Sequence, residues 1–366
     1  MIITSNDNYR GFDEWLIGKT KVFMVCDESI RFLEAFNKKL NTIRKTIIRF
    51  SDFRPNPTYD SVVKGVEVYR NEGCDSIIAV GGGSAIDVAK CIKLYSNLDG
   101  DGADGAWLKK SIIPNSIPFL AMPTTAGTGS EATRYAVVYY EGEKQSITSE
   151  SIIPETVLMD PDVLRTLPLY QKKATMCDAL CHAIESYWSI NSTEDSKNYS
   201  RLAIQTIIEH MDGYLANTDK GREGMLRAAN IAGKAINISQ TTAGHAMCYK
   251  ISSIFGVAHG HAAILCDRVL YSWMNDNSDR CIDPRGESYF RKSLEEIGNA
   301  LGCDDAKSGA KKLMDLFNML DLEVPTVIDK QYDELVAGVN PVRLKNNPVA
   351  LDDETINILY HEVFKK

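Results

Sequence analysis

Three of this chain's six histidines, His245, His259 and His261, fall within seventeen positions in the stretch AGHAMCYKISSIFGVAHGH. Imidazoles at that density point to metal ligation or proton transfer, because a buried core has little use for so many titratable rings. Upstream, in MCDALCHAIESYW, Asp178 and His182 stand four apart on a helical pattern and so share one face. Asp178, His182, His245 and His259 offer one carboxylate and three imidazoles. That donor set suits Fe2+ or Zn2+ and leaves room for a substrate oxygen. Cys177 and Cys181, also four apart, are rival zinc ligands by type, but their neighbours Met176 and Ala179-Leu180 mark them as apolar packing.

A second chemistry is written in the first half of the chain. SIIAVGGGSAIDVAK reads as strand, glycine turn, helix. Gly81, Gly82 and Gly83 let the backbone approach a phosphate, and the helix that opens at Ser84 turns its free N–H groups and positive dipole end toward it. This is not the Rossmann fingerprint, since Ile86 stands where a glycine or alanine belongs, and no Gly-Lys-Ser/Thr follows to make a P-loop. PTTAGTGSEAT adds a second loop after a strand, with Gly127 and Gly129 among Thr124, Thr125, Thr128 and Ser130. Two such loops suit a diphosphate and its ribose. Asp27, at the end of an earlier strand, can accept from a ribose 2′-OH and repel a 2′-phosphate, which favours NAD(H) over NADP(H).

Elements that could position these groups follow from the patterning. KVFMVCDES, SIIAV and IPFLAMPTT are buried strands, and YDSVVKGVEVYRNEGCD is a helix ending at Gly73. That rhythm means a parallel sheet with covering helices, and AVVYYEGEKQSITS adds a hairpin turning near Glu141-Gly142. After Leu167-Pro168 helical patterns dominate, at 170–190, 195–217, 222–239 and beyond 285. The expected architecture is an α/β dinucleotide-binding domain over 1–167 and an all-helical metal and substrate domain over 168–366, with ligands in the cleft between them.

Composition narrows the class. The chain has 366 residues, 44% of them hydrophobic, a net charge of −8 and no Lys/Arg-rich block, which speaks against nucleic acid as a partner. Nine scattered cysteines read as reduced thiols of a cytoplasmic protein, and no apolar run suits a signal peptide or a membrane span.

Gly81-Gly82-Gly83-Ser84 with Asp87 and Lys90, then MPTTAGTGSE, DALCHAIE and GHAM…AHGHA, occur in an order that resembles the iron-containing (group III) alcohol dehydrogenases. The resemblance runs from about residue 20 to at least 275. It implies the dehydroquinate synthase-like fold and reversible reduction of an aldehyde to an alcohol. It places the metal ligands on Asp178, His182, His245 and His259. The diphosphate loop falls on Gly81 to Ser84 with Asp87, the nicotinamide contacts on Thr124, Thr125 and the loop through Thr128 and Ser130, and the ribose contact on Asp27. Many members carry a histidine four residues after the third ligand; this chain has Tyr249 there, followed by Lys250, so that histidine's proton relay does not carry over. Proton delivery is then expected from water or His261, and Lys250 is expected to hold an anionic substrate tail.

GHAMCYK, EATRYAVVYYEGEKQS and ESYWSINSTEDS resemble the branch of the family that reduces phosphonoacetaldehyde to 2-hydroxyethylphosphonate. This implies a small anionic aldehyde as substrate, with Lys250, Arg134 and Lys144 as its candidate cations. A short-chain aldehyde or diol dehydrogenase is the alternative, and a dehydroquinate-synthase-like lyase a more distant one. A homodimer is the expected assembly.

Overall fold

The computed structural model describes residues 1–365. The chain folds as two compact units, Met1–Leu167 and Pro168–Lys366.

The first unit is built on a six-stranded sheet, every ladder parallel, in the order β1-β8-β5-β4-β2-β3. The strands are β1 (Ile2–Thr4), β2 (Lys21–Cys26), β3 (Thr46–Phe50), β4 (Ser76–Gly81), β5 (Phe119–Pro123) and β8 (Thr156–Met159). β4 is buried along its whole length, which is why its sequence is a continuous apolar run and not an alternating one. Helices α1 (Arg10–Trp15), α2 (Glu34–Leu40), α3 (Tyr59–Glu72) and α4 (Gly83–Tyr95) belong to this unit. Phe23, Val25, Ile77, Ala79, Ile86, Val88 and Phe119 form part of one core. α3 stops at Gly73, which takes φ 62° as its left-handed cap. The hairpin β6 (Tyr135–Tyr140) and β7 (Glu143–Thr148) turns through Glu141 and Gly142, both at positive φ (52° and 81°), the conformation a two-residue hairpin loop demands.

Chain growth reverses at β2: β3 adds on one side and β4 on the other. Asp27 follows β2, the adjacent β4 ends at Gly81 and passes through Gly82 into α4, and Thr124 follows β5 on the next rung. Parallel α/β sheets bind ligands at such a reversal, beyond the carboxyl ends of the strands.

The second unit is helical: α5 (Leu169–Trp188), α6 (Glu194–Leu215), α7 (Asp219–Ser239), α8 (Ala243–Phe255), α9 (His259–Asp276), α10 (Glu287–Ala300), α11 (Ala306–Leu320), α12 (Asp329–Ala337), α13 (Pro341–Leu344) and α14 (Asp353–Val363). Every residue of α5 from Met176 to Trp188 is buried, since α6, α7, α9 and α10 pack around it. A helix apolar on all sides has to be central. The ionisable residues in this buried stretch, Asp178, His182 and Glu185, therefore need a reason to be there. Among the described residues no helix is long and apolar enough to cross a membrane.

Candidate active site

Asp178 and His182 lie one turn apart on α5, His245 lies in the first turn of α8, and His259 opens α9. The fold brings all four together. Oδ1 of Asp178 is 3.5 Å from Nε2 of His245, 3.9 Å from Nε2 of His259 and 4.0 Å from Nε2 of His182. The His182 and His245 rings stack with centroids 4.5 Å apart, and His259 meets His245 at 65°. Donor atoms of Asp178, His245 and His259 all fall within 4.8 Å of one another.

These residues fit a divalent metal. Donors around a tetrahedral zinc stand about 3.4 Å apart, close to the separations here. Asp178 Oδ1 and His245 Nε2 are buried and have no hydrogen-bond partner, a costly arrangement for two polar atoms unless a cation completes it. Burial alone would raise the Asp178 carboxyl, but the surrounding imidazoles of His182, His245 and His259 hold it below the usual carboxylate range. The His259 side chain is 39% exposed whereas those of Asp178, His182 and His245 are 8% or less. The cluster therefore opens to solvent on the His259 side.

Close helix approach makes this geometry possible. A Cβ on Gly260 would come within 2.0 Å of the Ala174 carbonyl oxygen and 2.5 Å of Asp178 Cβ. Only glycine lets α9 begin against α5 at that level. On α8, a Cβ on Gly244 would sit 1.8 Å from Asp267 Oδ1.

Behind the cluster stands Glu185, one more turn along the Asp178–His182 face of α5. Its Oε1 accepts from the His245 backbone N–H (3.1 Å) and from His245 Nδ1, and its Oε2 accepts from the Thr242 N–H (2.5 Å) and hydroxyl (2.8 Å). Burial would raise this carboxyl, but the His245 ring and these donors keep it low and ionised. Asp267, buried beside it, is pushed well up by burial and by the Glu185 charge. Sequence reasoning passed over Glu185, although its seven-residue offset from Asp178 was the available signal.

His261 is turned to other work. Its Nε2 meets the Glu323 carbonyl (2.9 Å), a bond in which the ring must donate. Its Nδ1 then accepts from the Tyr170 hydroxyl (3.1 Å), whose oxygen accepts from the Ala258 N–H (2.9 Å). Burial lowers its pKa, consistent with a neutral ring. Tyr249 stacks on His259, with centroids 5.4 Å apart and planes at 18°, and so lines the open side of the cluster. Lys250 points elsewhere, with Nζ 2.8 Å from Glu334. Cys177 and Cys181 are buried and their thiols pushed up by burial, which keeps them protonated.

In the first unit the two glycine loops meet. Cβ atoms on Gly82 and Gly83 would touch Thr125 Oγ1 (3.4 Å) and Thr128 Cγ2 (3.1 Å), so the loops are side by side. No side chain caps α4 at Gly82, and its first N–H groups suit a phosphate. Asp87 holds the loops in place, accepting from Ser130 Oγ (2.7 Å) and the Val137 N–H (3.0 Å). Lys90 adds bonds to the carbonyls of Ser130 (2.7 Å), Thr133 (2.7 Å) and Tyr135 (2.6 Å). Asp27 caps the turn after β2 through the Ser29 N–H (2.8 Å), and its Oδ2 lies 3.1 Å from where a Gly81 Cβ would be. Arg134 and Lys144 lie in this unit as well, Arg134 paired with Glu150 at 2.7 Å.

Comparison with known proteins agrees with this chemistry. Residues 2–161 match the iron-containing alcohol dehydrogenase family, and residues 172–364 match the C-terminal domain of the same family. Alcohol dehydrogenase 4 of Schizosaccharomyces pombe is 32% identical over 80% of this chain and 69% of its own length. Phosphonoacetaldehyde reductase of Streptomyces viridochromogenes is 30% identical over 83% of this chain and 80% of its own. The structure of sulfoacetaldehyde reductase from Bifidobacterium kashiwanohense in complex with NAD+ superposes with a TM-score of 0.88 at 25% identity, covering 100% of this chain and 96% of that one. The protein belongs to the iron-containing alcohol dehydrogenase family. It is accordingly an oxidoreductase of alcohols and aldehydes, of a family that uses a nicotinamide cofactor and a divalent metal.

Proposed function

We propose that this protein reduces a short anionic aldehyde, phosphonoacetaldehyde foremost, to its primary alcohol with NADH as hydride donor. The observation that carries the reading is the convergence of three imidazole Nε2 atoms within 4.0 Å of Asp178 Oδ1. A divalent metal, Fe2+ or Zn2+, held by Asp178, His182, His245 and His259 would supply Lewis-acid polarisation of the aldehyde carbonyl. Glu185 holds His245 in the tautomer that leaves Nε2 bare. Gly82, Gly83 and the start of α4 offer backbone N–H groups to the cofactor diphosphate, and Asp27 favours the unphosphorylated ribose.

Tyr249 flanks the open side, but burial raises its phenol, so it keeps its proton and serves as a hydrogen-bond donor and a wall. His261 has both ring nitrogens engaged. The proton taken up by the product oxygen therefore comes from water on the exposed His259 side.

Likeness to reductases of phosphonoacetaldehyde and sulfoacetaldehyde supports an anionic tail on the substrate. A neutral short-chain substrate is the second reading, favoured by 33% identity to 1,3-propanediol dehydrogenase of Citrobacter freundii over 69% of this chain. NADH oxidation with phosphonoacetaldehyde, sulfoacetaldehyde and propionaldehyde decides between them. The proposal expects the highest kcat/KM on an anionic aldehyde, and a preference for propionaldehyde would replace it with the second reading.

A further inference from the structure

Of the four clustered side chains, His259 is the one that packing holds least. It is 39% exposed, whereas Asp178, His182 and His245 are 8% or less. Its place therefore depends on where the backbone of α9 begins. Ala258, the residue before it, caps the helix with no side chain of its own. Only Gly256, Val257 and Ala258 join α8 to α9, and Gly256 turns through a φ of 67°.

One hydroxyl on α5 supplies the missing hold. Tyr170 Oη accepts from the Ala258 N–H at 2.9 Å and bonds Nδ1 of His261 at 3.1 Å. The first contact lies one residue before His259 and the second two residues after it. His261 in turn bonds the Glu323 carbonyl through Nε2 at 2.9 Å, in the segment between α11 and α12. A carbonyl oxygen only accepts, so in a neutral ring Nε2 carries the proton and Nδ1 accepts from the Tyr170 O–H. The three bonds agree in direction.

Between the two flanking contacts Gly260 lies against α5, where a Cβ would meet the Ala174 carbonyl oxygen at 2.0 Å. Tyr170, Ala174, Asp178 and His182 follow one another at four-residue steps along α5. A single face of that helix thus carries the hydroxyl, the close contact and two ligands.

We propose that Tyr170 and His261 form a clamp that positions His259 for the metal by locking the start of α9 to the helix that carries Asp178 and His182. This rests on the reading of His259 as a metal ligand. Both are positioning residues, because their polar atoms are engaged with each other and with the backbone. The clamp gives His261 a task beside the cluster without making it a ligand.

The test uses the full-length protein freed of metal, with Co2+ alone as the probe. Wild type is compared with Tyr170→Phe, His261→Leu, the double variant and His259→Ala. Affinity is read by competition with a chromophoric chelator, and the geometry around the ion by its visible d–d absorption. Tyr170→Phe keeps the ring and removes only the hydroxyl. Its affinity should fall about tenfold, the low end for losing a group that orients a metal ligand. The d–d bands should change in Tyr170→Phe and His261→Leu alike. The double variant should bind no more weakly than the weaker single one, because one clamp can be opened only once. Unchanged affinity in Tyr170→Phe, unchanged bands, or losses that add in full in the double variant overturns the clamp. His259→Ala keeps two failures apart. If it binds Co2+ as tightly as wild type with the same bands, the ligand reading fails and the clamp with it. If it binds weakly while Tyr170→Phe matches wild type, the ligand reading stands and the clamp falls.

Discussion

Glu185 donates nothing and accepts four bonds, two of them from His245: its carboxylate takes the ring Nδ1–H and the backbone N–H of the same residue. In a neutral ring that leaves Nε2 of His245, 3.5 Å from Asp178, without a proton and able to hold a metal. The relationship sets both the tautomer and the rotation of the ring, and carboxylates in this position raise the basicity of a ligating imidazole. Glu185→Gln keeps the shape but replaces one acceptor oxygen with an NH2 that meets a backbone N–H at either position. Metal affinity should fall about 10- to 100-fold, measured by competition with a chromophoric chelator. Wild-type affinity in that variant would show that Glu185 is merely a buried spacer.

The approach of α9 to α5 is a second testable requirement. Gly260→Ala puts a methyl 2.0 Å from the Ala174 carbonyl oxygen, so the first turn of α9 must shift and His259 with it. The variant should lose metal by elemental analysis while its far-UV circular dichroism stays helical. Gly256→Ala is the comparison: nothing lies within 4 Å of its Cβ, and the cost there is only that of a positive φ. It should lower stability by about 1 kcal/mol and keep its metal. Equal metal content in the two variants would contradict the packing argument.

The proposed preference for NADH rests on Asp27. Asp27→Gly removes the carboxylate beside Gly81 and with it the repulsion of a 2′-phosphate, so the gap between KM for NADPH and KM for NADH should narrow. The lost cap on Ser29 should lower the melting temperature slightly, at a cost of about 1 kcal/mol. If the wild-type enzyme already prefers NADPH, Asp27 acts only as that cap.

Stability should respond to pH through Lys93, whose ammonium is buried among the carbonyls of Asn115 (3.1 Å) and Ile117 (2.9 Å) and the Asn115 side chain (2.7 Å). Desolvation brings its pKa down to about 8 from an ordinary 10.5. Between those values the unfolded chain binds the proton and the folded one does not, so this group adds stability as pH rises from 8 toward 10.5. Thermal melts of wild type and Lys93→Met across that range should show wild type gaining on the variant with rising pH. A constant difference would mean that Lys93 stays fully charged in the fold.

Much of the fold is legible in the chain because its signals are local. β2, β4 and β5 are apolar runs bounded by polar or glycine turns, Gly73 marks the end of α3, and Glu141-Gly142 marks the hairpin. β1, β3 and β8 carry no such mark. They are three to five residues long and become strands only because a neighbour offers a ladder, as Val157 to Met159 do for Ile2 to Thr4. The same contrast runs through the site. Asp178 and His182 can be paired from helix spacing alone, and His245 and His259 from their density. Glu185, in the quoted DALCHAIE, is hidden because its partners Thr242 and His245 are about sixty positions away. Lys250, expected from the sequence to hold an anionic substrate tail, has its ammonium 2.8 Å from Glu334, a partner on another helix that no spacing could show.

The most direct measurement of the central claim is a metal titration of turnover. Enzyme stripped exhaustively with a chelator is assayed for NADH oxidation with phosphonoacetaldehyde, then restored with increasing Fe2+ or Zn2+ under exclusion of oxygen. The structure predicts no turnover in the stripped protein and recovery that saturates at one metal per chain, with Asp178→Ala and His245→Ala failing to recover. Full activity in the stripped enzyme, or full recovery in either variant, would contradict the account.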